Sequence, residues 1–118
     1  MSATSKNYTP DAPTRDDVDS TQGPLVIEFG TNWCGICQAA QPLIITAFEQ
    51  HPAIRHLKVE DGPGRPLGRS FKVKLWPTLV FLSDGQEVAR LVRPADSQSI
   101  SEALAGLVAV SEKMPPNL

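Results

Sequence analysis

The chain has two cysteines, and they stand two residues apart in Trp33-Cys34-Gly35-Ile36-Cys37. The apolar run Leu25-Val26-Ile27-Glu28-Phe29 leads directly into them, so the pair falls between a strand and the start of a helix. The free N–H groups and partial positive charge of a helix N-terminus stabilise a thiolate at the first sulfur. At this spacing the second sulfur can attack a mixed disulfide formed by the first. The chain must therefore fold to hold a strand, a tight loop and a helix end around two thiols.

The rest of the composition narrows the setting. At 118 residues and 41% hydrophobic content there is room for one globular domain with its own core. A net charge of −2 with scattered Lys and Arg leaves no electrostatic footprint for nucleic acid or an anionic membrane. No apolar run approaches the roughly 20 residues of a membrane span. Residues 1–23 contain no hydrophobic signal region, so the expected location is the cytoplasm, where thiols are kept reduced. A lone cysteine pair there points to catalysis or metal binding rather than to a structural staple. The sequon Asn7-Tyr8-Thr9 then carries no meaning.

Along the chain, residues 1–23 read as a flexible, polar N-terminal arm with at most a weak helical turn around Thr14–Ser20. A folded domain is expected over 24–118. Leu25–Phe29 is a strand, and 35–50 a helix with Leu43, Ile44, Ala47 and Phe48 on one stripe and Pro42 inside it. Ile54–Glu60 is the next strand, Asp61-Gly62-Pro63-Gly64 a break, and Pro66–Phe71 a short helix. Thr78–Leu82 and Glu87–Val92 form a hairpin across Ser83-Asp84-Gly85-Gln86. Ser99 and Glu102 suggest a capping box for a last helix burying Ile100, Leu104, Leu107 and Val108, stopped by Met114-Pro115-Pro116. The order β-α-β-α-β-β-α implies an α/β fold, a small mixed sheet with helices on both faces.

This order, with Trp33-Cys34-Gly35-x-Cys37, Pro42, Trp76-Pro77-Thr78, the Asp84-Gly85 hairpin and an amphipathic last helix, resembles the thioredoxin family over residues 25–112. The resemblance implies a three-layer α/β sandwich with a mixed sheet of four to five strands. It implies a thiol–disulfide oxidoreductase reducing protein disulfides, with Cys34 as nucleophile and Cys37 as resolving thiol. It also implies a cis peptide before Pro77, a bond that only proline makes cheap, beside the cysteine pair. Trp33, Gly35, Ile36, Trp76 and Pro77 would line the substrate groove. Glu28 falls where the family carries a buried acid, and burial in an apolar strand should raise its pKa, fitting it to take the proton of Cys37. No cofactor is implied. The partners implied are protein disulfide substrates and a thioredoxin-reductase-type electron donor, acting on a monomer.

The sequence departs from the family pattern in four places. Ile36 replaces the usual proline between the cysteines, Trp76 replaces a small or β-branched residue, and the glycine expected near Arg93-Pro94 is missing. The N-terminal arm is also short for the family's first strand and helix. The bulky groove leaves a second reading, a redox-inert thioredoxin-like binding or assembly module. His56, near a position where a lysine often pairs with the buried acid, reads as a surface histidine. Cys34, Cys37, His51 and His56 match a Cys2His2 zinc spacing. The intervening helix would hold its ends roughly 20 Å apart, however, which defeats a common metal. Nothing else in the chain favours an iron–sulfur cluster shared between two subunits.

Overall fold

The computed structural model describes residues 7–113. Its strands are β1 (Pro24–Gly30), β2 (Arg55–Glu60), β3 (Thr78–Ser83) and β4 (Gln86–Val92), and its helices are α1 (Arg15–Asp19), α2 (Gly35–Glu49), α3 (Pro66–Ser70) and α4 (Ser97–Lys113). The strands form one sheet in the order β2-β1-β3-β4, with β1 parallel to β2 and antiparallel to β3.

Alternation along β1 divides the core. Leu25, Ile27 and Phe29 join Val80 and Leu82 on one face, packed against Val18 of α1, Leu67 of α3 and Phe71 just after it. Val26 joins Leu79 and Phe81 on the other, beneath Ala40, Ile44 and Ala47 of α2 and Ile100, Leu104 and Leu107 of α4. With both faces covered, β1 and β3 read as near-continuous apolar runs. Glu28 is the exception, and by the period of two it lies on the face covered by α2.

Local chemistry sets the element ends. Cys34 has extended backbone, and its Sγ accepts from the Cys37 N–H at 3.1 Å, so the first sulfur of the pair is also the N-cap of α2. The helix continues through Pro42, which forfeits one intrahelical bond. Asp84 and Gly85 take φ of 50° and 79°, the left-handed pair a two-residue hairpin needs. For α4 the cap is Asp96, whose Oδ1 accepts from the Ser99 N–H at 2.7 Å. Glu102 instead accepts from Gln98 at 3.1 Å, so the expected capping box does not form. The expected stop at Met114-Pro115-Pro116 lies outside the described residues.

The reading of residues 1–23 as a mobile arm is corrected from Tyr8 onward. Tyr8 and Val18 are buried, and α1 carries a full capping box between Thr14 and Asp17. Arg15 donates to the Ser70 carbonyl at 2.8 Å and covers the Phe71 ring at 3.9 Å, pinning α1 to α3. The family's first strand is reduced to a parallel bridge between Thr9 and Val59, which leaves a four-stranded sheet. A polar segment hides such packing because only two of its described side chains, Tyr8 and Val18, enter the core.

Candidate active site

The end of β1, the loop to α2 and the start of β3 meet at one corner of the sheet. Phe29 pairs with Thr78, so the chain entering β3 through Pro77 runs beside the chain leaving β1 for the cysteines. The Trp76–Pro77 peptide is cis and Pro77 is buried. The Trp76 ring meets Trp33 edge-on, with centroids 5.7 Å apart and planes at 81°, and its Nε1 donates to Asp61 Oδ2 at 2.8 Å. Trp33 is 74% exposed, and Ile36 and Leu75 are also open to solvent. Gly35, in the first turn of α2, is exposed, with nothing within 4 Å of where a Cβ would lie. Cys34, between Trp33 and Gly35, is partly accessible.

Arg93 occupies the place where a glycine was missed. Its φ is 52°, a left-handed conformation that a branched backbone rarely adopts. Its N–H donates to the Pro77 carbonyl and its Nε to the Trp76 carbonyl, each at 2.9 Å.

Cys37 is fully buried. Burial, reinforced by the neighbouring Cys34 thiol, pushes its thiol up to about 12, with the Thr31 backbone and the Tyr8 hydroxyl opposing. The two thiols are thus distinct: one accessible at a helix end, the other sealed and protonated.

Beneath Cys37 lies a polar cluster that the sequence shows only in part. Glu28 is fully buried. One carboxylate oxygen accepts from the Tyr8 hydroxyl and from Gln41 Nε2 at 2.9 Å, and the other lies 2.8 Å from His56 Nε2. Lys58 donates to Gln41 Oε1 and stands over the Tyr8 ring at 4.7 Å. His56 is therefore a buried partner of the acid, not a surface residue, and its ring also stacks on Phe48 with centroids 4.0 Å apart. The expected upward shift of Glu28 is likewise corrected. Burial does push its pKa up, but the His56 hydrogen bond and charge, with Lys58 and Gln41, outweigh it and hold Glu28 below the usual carboxylate range. Burial and the neighbouring Glu28 carboxylate push the Tyr8 phenol far up, so it stays protonated. Burial pulls Lys58 down, with Glu28 opposing.

Tyr8, Gln41 and Lys58 escaped the sequence reading, although signals existed. Tyr8 is the chain's one tyrosine, in a segment otherwise poor in large apolar groups. Gln41 breaks the buried stripe of α2, and Lys58 shares a strand face with His56. The zinc arrangement does not assemble. His56 is taken up by Glu28, and no three His, Cys, Asp or Glu side chains converge as a metal site among the described residues.

The cluster makes an acid-stability prediction. Because the folded pKa of Glu28 lies below its unfolded value of 4.5, the unfolded chain binds more protons in that window. This contribution is full above pH 4.5 and is lost as pH falls through the folded pKa. Glu28→Gln should flatten the acid limb of a stability-versus-pH curve followed by denaturant unfolding, and an unchanged limb would contradict the pairing. The variant should fold, since the amide oxygen can accept from Tyr8 and Gln41 while the amide N–H donates to a neutral His56.

The Thioredoxin family model matches residues 6–106. The chain belongs to the thioredoxin family. It is 32% identical to a thioredoxin of Mycobacterium bovis over 101 residues, 83% of this chain and 85% of that protein. It is 26% identical to thioredoxin Asp f 28 of Aspergillus fumigatus over 90 residues, 76% and 83% of the two chains. Among solved structures, thioredoxin 2 of Pseudomonas aeruginosa PAO1 in its reduced form superposes with a TM-score of 0.80 at 59% identity, covering 88% of this chain and 96% of that one. This thioredoxin is a thiol–disulfide oxidoreductase with Cys34 and Cys37 as its redox pair. No helix among its described residues is long and apolar enough to cross a membrane.

Proposed function

We propose that this thioredoxin works as a protein-disulfide reductase in the cytoplasm, recharged by a thioredoxin-reductase-type donor. The asymmetry of the two thiols carries the reading. Cys34 Sγ attacks a substrate disulfide, breaks its S–S bond and releases one substrate thiolate. Cys37 then loses its proton, attacks Cys34 Sγ and releases the second thiolate, leaving the Cys34–Cys37 disulfide for the donor to reduce. Glu28, an anion held below Cys37, is the proton acceptor for that second step. Trp33, Gly35, Ile36, Trp76 and Pro77 receive the substrate chain. The test is reduction of insulin with a dithiol as electron source, followed by precipitation of the freed chains. Dithiol-dependent turnover supports the reading, and no turnover above the dithiol alone overturns it.

One observation favours the alternative, a binding module with inert cysteines. Arg93 occupies the Trp76 carbonyl, a backbone acceptor at the rim that a partner chain could otherwise use. Under the reductase reading this arginine restricts protein substrates without abolishing activity. Arg93→Gly should then raise kcat/KM for a protein disulfide roughly fivefold, the worth of one freed hydrogen bond of ~1 kcal/mol. Turnover of a small aromatic disulfide should stay unchanged. Equal effects on both substrates would remove Arg93 from the groove.

A further inference from the structure

Tyr8 reaches the redox centre from outside the strand-loop-helix unit that carries the cysteines. Backbone bonds from the Thr9 N–H to the Lys58 carbonyl at 3.0 Å and from the Glu60 N–H to the Thr9 carbonyl at 2.9 Å fix the segment to β2. The Tyr8 N–H donates to Asn32 Oδ1 at 2.7 Å. The hydroxyl that results donates to Glu28 Oε2, and its oxygen lies close to the Cys37 thiol. A Cβ on Gly30 would lie 2.8 Å from the Tyr8 hydroxyl and 2.8 Å from Cys37 Sγ, which marks how closely these two atoms crowd one point. No direct hydrogen bond joins Cys37 to Glu28 among those of the described residues.

We propose that Tyr8 is a catalytic proton relay between Cys37 and Glu28. The inference rests on the proposed role of Glu28 as acceptor. As Cys37 Sγ closes on Cys34 Sγ, its proton passes to Tyr8 Oη while the phenol's own proton passes to Glu28 Oε2. The electron pair left on Cys37 forms the Cys34–Cys37 bond, and the substrate sulfur departs with the pair of the broken bond. Over the two steps of the reaction together, two thiols are oxidised and one disulfide is reduced, and Tyr8 ends neutral as it began. Transfer is concerted with attack, so no free Cys37 thiolate accumulates. Tyr8 and Gln41 also line a cleft of about 620 Å³ with Asn32 and Gln38, through which water returns the proton from Glu28. The other ionisable groups facing the relay are Cys34 of the α2 cap and His56 and Lys58 of β2. Of these, Lys58 feels the charge of both Glu28 and Cys37.

The deciding experiment is stopped-flow release of nitrothiobenzoate from dithiobis-nitrobenzoate, where the first equivalent reports attack by Cys34 and the second reports resolution. Tyr8→Phe should leave the first phase at the parent rate and slow the second about 100-fold near neutral pH, the lower end for a lost general acid–base group. The parent's second phase should be independent of pH across the neutral range. The variant's should rise tenfold per pH unit, because hydroxide must then take the Cys37 proton. Since Tyr8 is the chain's one tyrosine, biosynthetic 3-fluorotyrosine changes that side chain alone, and it should keep the flat profile. A Tyr8→Phe second phase parallel to the parent's at every pH, or a fluorotyrosine protein that loses the flat profile, overturns the relay. Glu28→Gln run alongside separates the two ideas. If it slows resolution while Tyr8→Phe does not, only the relay falls; if neither slows, the role of Glu28 falls as well.

Discussion

Cys34→Ser is expected to reduce turnover of any disulfide to the background of the dithiol alone, while Cys37→Ser arrests the reaction half-way. The serine at 34 keeps an N-cap oxygen for α2, so the helix survives and the loss is chemical. At 37 a serine cannot expel the substrate from Cys34, and the protein should accumulate as a covalent adduct heavier by one substrate chain and released by dithiothreitol. The same asymmetry appears in alkylation. With its thiol pushed up to about 12, Cys37 is almost wholly protonated at pH 7, and it is fully buried. Reduced protein treated with iodoacetamide should therefore be modified at Cys34 long before Cys37, as peptide mass mapping would show. Equal labelling, or an active Cys34→Ser, would end the assignment.

Gly30→Ala should damage the redox centre with a single methyl. Its Cβ would stand 2.7 Å from Tyr8 Cζ and 2.8 Å from Cys37 Sγ, and neither neighbour is a free side-chain tip. Overpacking of this kind costs about 1–3 kcal/mol, which lowers Tm by roughly 4–12 °C for a domain of this size. The structure can relieve the clash only by moving Tyr8 or Cys37, so the resolving step should suffer beyond the stability loss. Gly35→Ala is the matched control. Its Cβ would meet nothing within 4 Å, and alanine in a first helical turn is favoured over glycine by roughly 0.5–1 kcal/mol. Similar melting temperatures for the two variants would refute the crowding at Gly30.

The redox pair, its strand and its helix could be read from sequence because each follows from short-range rules: an apolar run, a cap, a period. The cis peptide at Pro77 and a mixed sheet of four to five strands followed from the family pattern. The polar cluster was legible only at Glu28, an acid inside an apolar strand. Its partners come from separate places in the chain: Tyr8 before α1, Gln41 on α2, His56 and Lys58 on β2. The parallel register that sets Val26 against His56 and Glu28 against Lys58 brings the two β2 residues to the acid, and the backbone bonds of Thr9 to β2 bring Tyr8. That is why His56 looked solvated and why the pKa of Glu28 was expected to shift the wrong way. Burial of the acid could be inferred from the sequence, but not the number of donors around it. The last helix shows the same limit on a smaller scale: Ser99 and Glu102 fitted a cap, but Asp96 lay nearer the true start.

The two margins of the sheet are defended against self-association by different means. On β4 a register shift between Phe81 and Leu82 and the Glu87–Arg90 ion pair make the border irregular and charged, both of which discourage a foreign strand from docking. On β2 the protection is the bridge from Thr9 to Val59, a short piece of the chain's own backbone occupying donors and acceptors that would otherwise template another molecule. The segment that brings a hydroxyl to the cysteines is thus also a shield. A chain shortened to begin at Pro24 would keep both thiols and every strand, yet would present β2 as an open ribbon. It should be lost to aggregation before its slower chemistry could be measured.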